Sequence, residues 1–396
     1  MGILVALVLI YLSCIIIARA SDGFEVAADF LGRKLSDGVK GATINAIGSS
    51  MPELLTTFIF LVMLKDAEGF ASGLGTTAGS AIFNGVIIPA VVIIAVILSK
   101  VSKDVTVSRK VILRDGIALI LCELVLIFFI SVNELKAIHG LLLMLMYGAY
   151  VAFMLIRMDR SKRDPEGTDE PISEENHARK KSNVFTSFLL FSWINLPSWF
   201  FAKPSKQKAI SLLLIATTLM AVACHYLVEA CIWLGSDSFS VFGVPFKGLG
   251  VPVYFLSVII ASAATSLPDT ILSMKDAKKG NYDDAVSNAL GSNIFDICFA
   301  LGLPLFIYTL IYGPIDMASS TRNDVGELRI LLLSITVLAF LIFVLAKRLS
   351  LIHALLLISL YLLFTLYIVG RALHWEFLEP IAWQMGNLAN YLGSIF

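Results

Sequence analysis

Apolar residues fall in ten runs near 2 to 18, 43 to 64, 79 to 99, 116 to 132, 138 to 156, 209 to 233, 250 to 274, 285 to 311, 329 to 346 and 351 to 370. At about 20 residues per span, each run predicts a transmembrane helix. One long hydrophilic segment, 158 to 208, divides them five and five. Its first part, "RMDRSKRDPEGTDEPISEENHARKK", is too charged and too poor in apolar residues to build a core, and predicts a flexible linker. Its second part, "NVFTSFLLFSWINLPSWFF", is interrupted by Pro197 and suits either a segment lying along the membrane interface or a short collapsed loop. The predicted organisation is a first five-helix unit over 1–157, a linker over 158–208, and a second five-helix unit over 209–396.

Basic residues orient the spans, because cytoplasmic loops retain Lys and Arg. With the N-terminus outside, the predicted inner segments hold 24 of the 30 basic residues, and the outer ones keep Lys65, Lys136, Lys247, Arg322, Arg329 and Arg371. The linker is then cytoplasmic and the chain an integral protein of the cell (inner) membrane. An odd number of spans per half makes the second half enter the bilayer in the opposite sense, the topology of an inverted repeat. The first run starts at Met1 with no basic residue before it, unlike a cleaved signal peptide, and is expected to be a retained span.

Composition sharpens this reading. A mean hydropathy of +0.85, with 58% hydrophobic and 15% charged residues among 396, places the chain with polytopic membrane proteins. Its 30 acidic and 30 basic residues cancel, so no field points to nucleic acid; no obligate protein partner and no cofactor is expected. All five cysteines lie in apolar runs and read as small hydrophobes.

The two halves share a motif. "GSSMPELLTT" at 48 to 57 matches "ATSLPDTILS" at 264 to 273: small residue, hydroxyl, serine, apolar residue, proline, acid, then a hydroxyl-bearing face. Each copy is followed by "KDA", at Lys65 and Lys275, and then by "GSAIFN" at 79 to 84 or "GSNIFD" at 291 to 296. Acid and final polar residue are 31 apart from Glu53 to Asn84 and 27 apart from Asp269 to Asp296, a difference assigned to loop length.

Proline lacks an amide hydrogen and disfavours helix in the residue before it, so the helices should break at Pro52 and Pro268 and free backbone carbonyls. Broken backbone within a bilayer is tolerated only when buried in protein or lining a polar cavity. Ser49, Ser50, Thr265 and Ser266 add neutral oxygens. Glu53 and Asp269 add charge, at about 2.5 to 3.5 kcal/mol each on insertion scales for a helix centre. Oxygen-only donors suit hard ions such as Ca²⁺ and Na⁺. Ser80 and Asn84, like Ser292 and Asp296, stand four apart and therefore on one helical face.

These motifs resemble the alpha-1 and alpha-2 repeats of the cation/calcium exchanger superfamily, over 41 to 99 and 250 to 311, and the ten-span plan with a cytoplasmic loop resembles it as well. The resemblance implies an all-α polytopic fold of two inverted five-helix repeats and a secondary antiporter exchanging Na⁺ for Ca²⁺. It implies Glu53 and Asp269 as central carboxylates, Ser50 and Ser266 as hydroxyl ligands, Ser80 and Ser292 from the neighbouring helices, and Asn84 and Asp296 completing the ring. Carbonyls of Ser49, Thr265, Ala46 and Ser262 are implied for the Ca²⁺ and outer Na⁺ sites. The "PD" and "GSNIFD" of the second motif are similar to the potassium-dependent branch. Three ionised acids balance three Na⁺, or one Ca²⁺ with one K⁺, so K⁺ co-transport is an open expectation. Ala264 departs from the family's usual glycine at that position, and "GVIIPA" after Asn84 departs from its leucine-rich continuation.

Other readings stand beside this one. A lone Pro-acid pair is consistent with a structural kink, which the duplication argues against. "CHYLVEAC" at 224 to 231 reads as a soft-metal site or a satisfied buried cluster; His225 and Glu229 share one helical face while Cys224 and Cys231 occupy another. Glu123 reads equally as a structural pair or a proton site. Asp283 and Asp284 read as a solvated inner face, with ion access as the alternative. A proton-coupled calcium exchanger is the nearest rival function. A cation channel does not require two inverted copies in one chain, and an intramembrane enzyme is disfavoured by the absence of HExxH and GxSxG and by the scatter of the histidines.

Overall fold

The computed structural model describes residues 2–32, 46–156, 205–346 and 348–394, together with Pro197. The predicted linker and its interfacial segment lie almost wholly outside the described residues, as do Arg33, Lys34 and Lys40. In the first half, α1 (Gly2–Leu31), α2 (Ala46–Ser49), α3 (Met51–Leu64), α4 (Asp66–Leu98), α5 (Arg109–Ile130) and α6 (Ala137–Ile156) follow in order. The second half begins with α7 (Lys206–Gly235). Then come α8 (Val253–Leu256), a π-helical turn Ser257–Ala261, α9 (Ser262–Thr265) and α10 (Leu267–Lys278). After α11 (Tyr282–Phe295) a second π-helical turn, Asp296–Ala300, leads into α12 (Leu301–Tyr312), α13 (Ser319–Leu345), α14 (Leu351–Ala372) and α15 (Glu379–Gly393).

Among the described residues, eight helices are long and apolar enough to cross a membrane. The two remaining predicted spans are helical but fall short for different reasons. α3 has 14 residues because the chain turns at Ser50, and α5 carries Arg114, Asp115 and Glu123 within its 22.

Several expectations are corrected. The fold is mostly but not wholly helical: β1 (Glu134–Leu135) pairs antiparallel with β4 (Ile315–Asp316), and β2 (Ser238–Val241) pairs with β3 (Val244–Lys247). The β2–β3 turn places Phe242 at φ 50° and Gly243 at φ 80°, the positive dihedrals that match hairpin twist. α15 has no counterpart among the predicted spans; it lays Ala382, Gly386 and Ala389 inward while Trp383 and Tyr391 stay exposed. Arg329, counted with the outer loops, is instead fully buried within α13, where it donates to the carbonyls of Val325 and Ile127 and to Ser131 Oγ.

The "KDA" match also loses its structural equivalence. Lys65 forms the junction between α3 and α4 at φ 62°, whereas Lys275 lies inside α10 and the matching break falls at 279–281.

α4 is the central element. It packs against α3, α10, α11, α13, α14 and the first π-helical turn. Close approach is set by Gly75 and Gly79: a Cβ on Gly79 would meet the carbonyl of Val258 and the Ser262 side chain, and one on Gly75 would meet Ser257 Oγ. Small residues four apart are the usual means of bringing membrane helices together. The main core runs through α4, α5, α6 and α11 to α14. α1 packs along α7 through separate, alanine-rich clusters that include Ala20, Ala27, Ala209, Ala216 and Ala223.

Loop contacts sort to the two ends of the bundle. At one end β1 meets β4, and the Asp66 amide donates to Tyr308 Oη over 3.0 Å. At the other, Val105 pairs with Leu349, Arg348 with Asp104 at 3.1 Å, and the Ser108 amide donates to Asp283 Oδ1 at 2.6 Å. Each pair joins segments predicted to share a membrane face.

Candidate ion-binding site

Both kinks form at the predicted places. Pro52 and Pro268 occupy the first turns of α3 and α10, and Ser50 and Ser266 precede them with ψ of 8° and 0°. A proline at these positions removes the donor that would reach the carbonyl four residues back, that of Gly48 or Ala264. Glu53 and Asp269 follow by one residue, in the first turn of each new helix, where the helix dipole favours negative charge. The two acids, with Asp296, Ser50, Ser80, Asn84, Ser266 and Ser292, are all fully buried.

Asp269 is well supplied with donors. Ser292 Oγ donates to its Oδ1 at 2.8 Å and Asn84 Nδ2 to its Oδ2 at 3.0 Å. Ser49 Oγ stands 3.3 Å from Ser292 Oγ and extends the chain of hydroxyls. Glu53 and Asp296 are not so provided. Ser80 Oγ lies 3.1 Å from Glu53 Oε1, 3.1 Å from Asp296 Oδ2 and 2.8 Å from Ser266 Oγ. A hydroxyl carries one proton, so Ser80 donates to only one carboxylate at a time. Glu53 Oε2, Asp296 Oδ1 and Asn84 Oδ1 are buried without a hydrogen-bond partner.

The matched motifs end differently, in Asn84 and in Asp296, and that explains the inequality. Asn84 of the first half reaches the acid of the second half as a donor. Its counterpart, Asp296, faces the acid of the first half, Glu53, with oxygens only, and Ser50 is buried against it. Glu53 and Asp296 share the Ser80 hydroxyl, with Thr265 beside the first and Ser50 beside the second, yet each keeps an unpaired oxygen; in a water-poor interior two such carboxylates are stabilised by positive charge between them. The donors present are hard oxygens, and the residues fit a small hard cation.

The remaining predicted ligands are placed less directly. Ser262 Oγ turns back onto the carbonyls of Val258 and Ile259, and the Ser262 carbonyl accepts from Thr265 Oγ1 at 3.1 Å and from the Ser266 amide at 3.0 Å. Ala46 opens α2, next to the kink.

The site extends beyond the predicted set. Ser72 and Thr76 continue the Ser80 face of α4 at four-residue intervals, and Ser72 Oγ and Thr56 Oγ1 are buried without partners. In the second half, Asn288 Nδ2 donates to Ser273 Oγ at 3.3 Å and leaves its Oδ1 unpaired. Counting back by four from Ser80 and Ser292 would have found these positions. Asn293, the interior difference between "GSAIFN" and "GSNIFD", ties α11 to α4 by donating to the Ala81 carbonyl at 2.8 Å.

The competing clusters do not assemble. His225 is exposed while Cys224 Sγ approaches the Pro52 carbonyl at 3.6 Å, and among the described residues no group of three His, Cys, Asp or Glu is placed to hold a metal by itself. Glu123 accepts from Thr336 Oγ1 at 2.6 Å, with its other oxygen unpaired. Asp283 accepts from the backbone in a loop contact.

Comparison with known proteins places this geometry. The family model described as "Sodium/calcium exchanger protein" matches residues 5–156 and 208–370. Sodium/potassium/calcium exchanger 5 of Homo sapiens is 29% identical over 72% of the chain and 65% of its own length. The putative antiporter CaxA of Alkalimonas amylolytica is 25% identical over 81% of the chain and 86% of its own length. Thus the chain spans somewhat under two thirds of the human relative. Among solved structures, the H⁺/Ca²⁺ exchanger CAX superposes with a TM-score of 0.64 at 14% identity, over 98% of this chain and 87% of that one. The sodium-calcium exchanger NCX_Mj, in a form soaked with Na⁺ and Ca²⁺, gives 0.52 at 18% identity over 91% and 97%. These likenesses are of fold.

Proposed function

The chain belongs to the sodium/calcium exchanger protein family, and from that premise we propose that it is a secondary active antiporter exchanging Na⁺ for Ca²⁺ by alternating access. The observation that carries the reading is the pair of unpartnered carboxylate oxygens, Glu53 Oε2 and Asp296 Oδ1, set against the satisfied Asp269. Glu53, Asp269 and Asp296 hold the charge of the bound ions. Ser50, Ser80, Ser266, Ser292 and Asn84 supply neutral oxygens, with the carbonyls of Ser49, Thr265, Ala46 and Ser262 at the margins. Either three Na⁺ or one Ca²⁺ with one K⁺ neutralises the three acids, and a neutral site moves more readily through a low-dielectric interior than an empty, charged one. K⁺ co-transport is part of the proposal. It fails if Na⁺-driven Ca²⁺ flux is unchanged when choline replaces K⁺ on both sides.

The proposed topology is ten spans in two inverted repeats, 1–157 and 209–396, in the cell membrane, with the N-terminus outside and the linker 158–208 inside. A Ca²⁺/H⁺ exchanger is the second reading, because a proton bridging Glu53 and Asp296 would meet the same deficit as a cation. ⁴⁵Ca²⁺ flux in proteoliposomes under imposed Na⁺, K⁺ or H⁺ gradients separates the two. Na⁺ is expected to drive accumulation, and Glu53→Gln and Asp269→Asn to abolish it. Exchange intact in both variants removes the proposed site.

A further inference from the structure

Lys275, half of the "KDA" pair that lost its structural equivalence, has a partner on another helix. Its Nζ lies 3.1 Å from Asp22 Oδ1 and 3.4 Å from Glu25 Oε2, both on α1. Asp22 is also 3.7 Å from Arg19. The two acids open onto a narrow crevice, with a cavity volume of only about 10 Å³, that is lined by Ala18, Ser21, Gly48, Ser49 and Pro268 among others. Ser49 borders the ion-binding residues, and Pro268 adjoins Asp269. The crevice therefore leads from an acidic mouth at the end of α1 to the kinks of both repeats. Lys275 stands one turn beyond Ile271 and Leu272, which line the same crevice.

The position joins two differently packed parts of the bundle. α1 and α7 are joined to each other by their own apolar clusters, apart from the main core. Lys275 belongs to α10, which carries Asp269. The ion pairs of Lys275 tie α1 to this site-bearing helix.

We infer that Lys275 is an electrostatic latch: a tethered cation that closes the crevice by holding Asp22 and Glu25, and that must release them before a hydrated cation passes between this end of the bundle and the site. Its purpose rests on the antiporter reading, but its existence does not. When the latch opens, the two acids lose the Lys275 ammonium at the mouth, and their charge there attracts the incoming cation. The pair is partly exposed, with side chains 40% and 25–28% accessible, so it is a modest latch, worth about 1 kcal/mol or about five-fold in the population of the open form.

Crevice accessibility tests this without any transport. Ser21→Cys, a near-isosteric change at a buried crevice residue, reacts with a membrane-impermeant thiol reagent at a rate corrected for the parent's own cysteines. Lys275→Gln should raise that rate about five-fold by loss of the latch, while Lys275→Arg should leave it slow. High salt should raise the rate in the Lys275 protein but not in Lys275→Gln, since screening weakens partly exposed pairs. Asp22→Asn with Glu25→Gln, which empties the other side of the latch, should act like Lys275→Gln if the latter folds poorly. Equal rates in folded Lys275 and Lys275→Gln proteins, or equal rates for the Arg and Gln variants, overturn the latch. Failure of Na⁺-driven Ca²⁺ flux with the labelling pattern intact overturns only the antiporter reading.

Discussion

At the scale of single residues, the site turns on how few protons serve many oxygens. Ser80 is the shared donor of the Glu53–Asp296 side, so Ser80→Ala should remove the one proton they share at about 1–3 kcal/mol of lost hydrogen bonding. The expected result is a flux reduced at least ten-fold with the protein still folded; thermal melting in detergent separates the two effects. Asp296→Asn would place a donor where Glu53 now faces oxygens only. Ca²⁺ transport should persist, and any K⁺ stimulation should disappear, as read by ⁴⁵Ca²⁺ uptake with and without K⁺. The acids and prolines were legible in the sequence because a buried carboxylate beside a helix break in an apolar run has few purposes. Proton sharing was not legible. That Ser80 reaches Ser266 and Asp296 across the repeat, while Asn84 reaches Asp269, depends on packing between segments nearly two hundred residues apart.

For whole elements, hydropathy located the helices because length and apolarity are local properties, and proline located the kinks because its missing amide is local too. The π-helical turns Ser257–Ala261 and Asp296–Ala300 left no mark in composition, nor did the paired strands β1 and β4, each only two residues long. The "KDA" register misled because a shared tripeptide says nothing about its distance from the acid. Packing makes its own prediction at Gly79, whose hydrogen faces the Val258 carbonyl and Ser262. Gly79→Val should cost at least about 3 kcal/mol through overpacking, seen as loss of monodisperse protein on gel filtration. Phe242, fully exposed at the tip of the β2–β3 hairpin, is the contrasting case: Phe242→Ser should change stability by less than about 0.5 kcal/mol.

Across the whole molecule, charge asymmetry in the loops predicted which segments share a face, and the loop pairs in the fold are consistent with that sorting. Orientation is testable by single cysteines. Phe242→Cys should react with an impermeant reagent added to intact cells, and Val101→Cys, exposed at the opposite end, should react only after permeabilisation; the reverse pattern would invert the topology. The fold also bears on how a site can face two sides in turn. The β1–β4 pair clips the two halves together at one end of the bundle, and the Val105–Leu349 bridge clips them at the other. Both ends of the bundle are therefore cross-linked between the halves. α1 and α7 take part in neither clip; their alanine-lined contacts are with each other. Any sliding of one half along the other would have to break backbone hydrogen bonds at both ends at once.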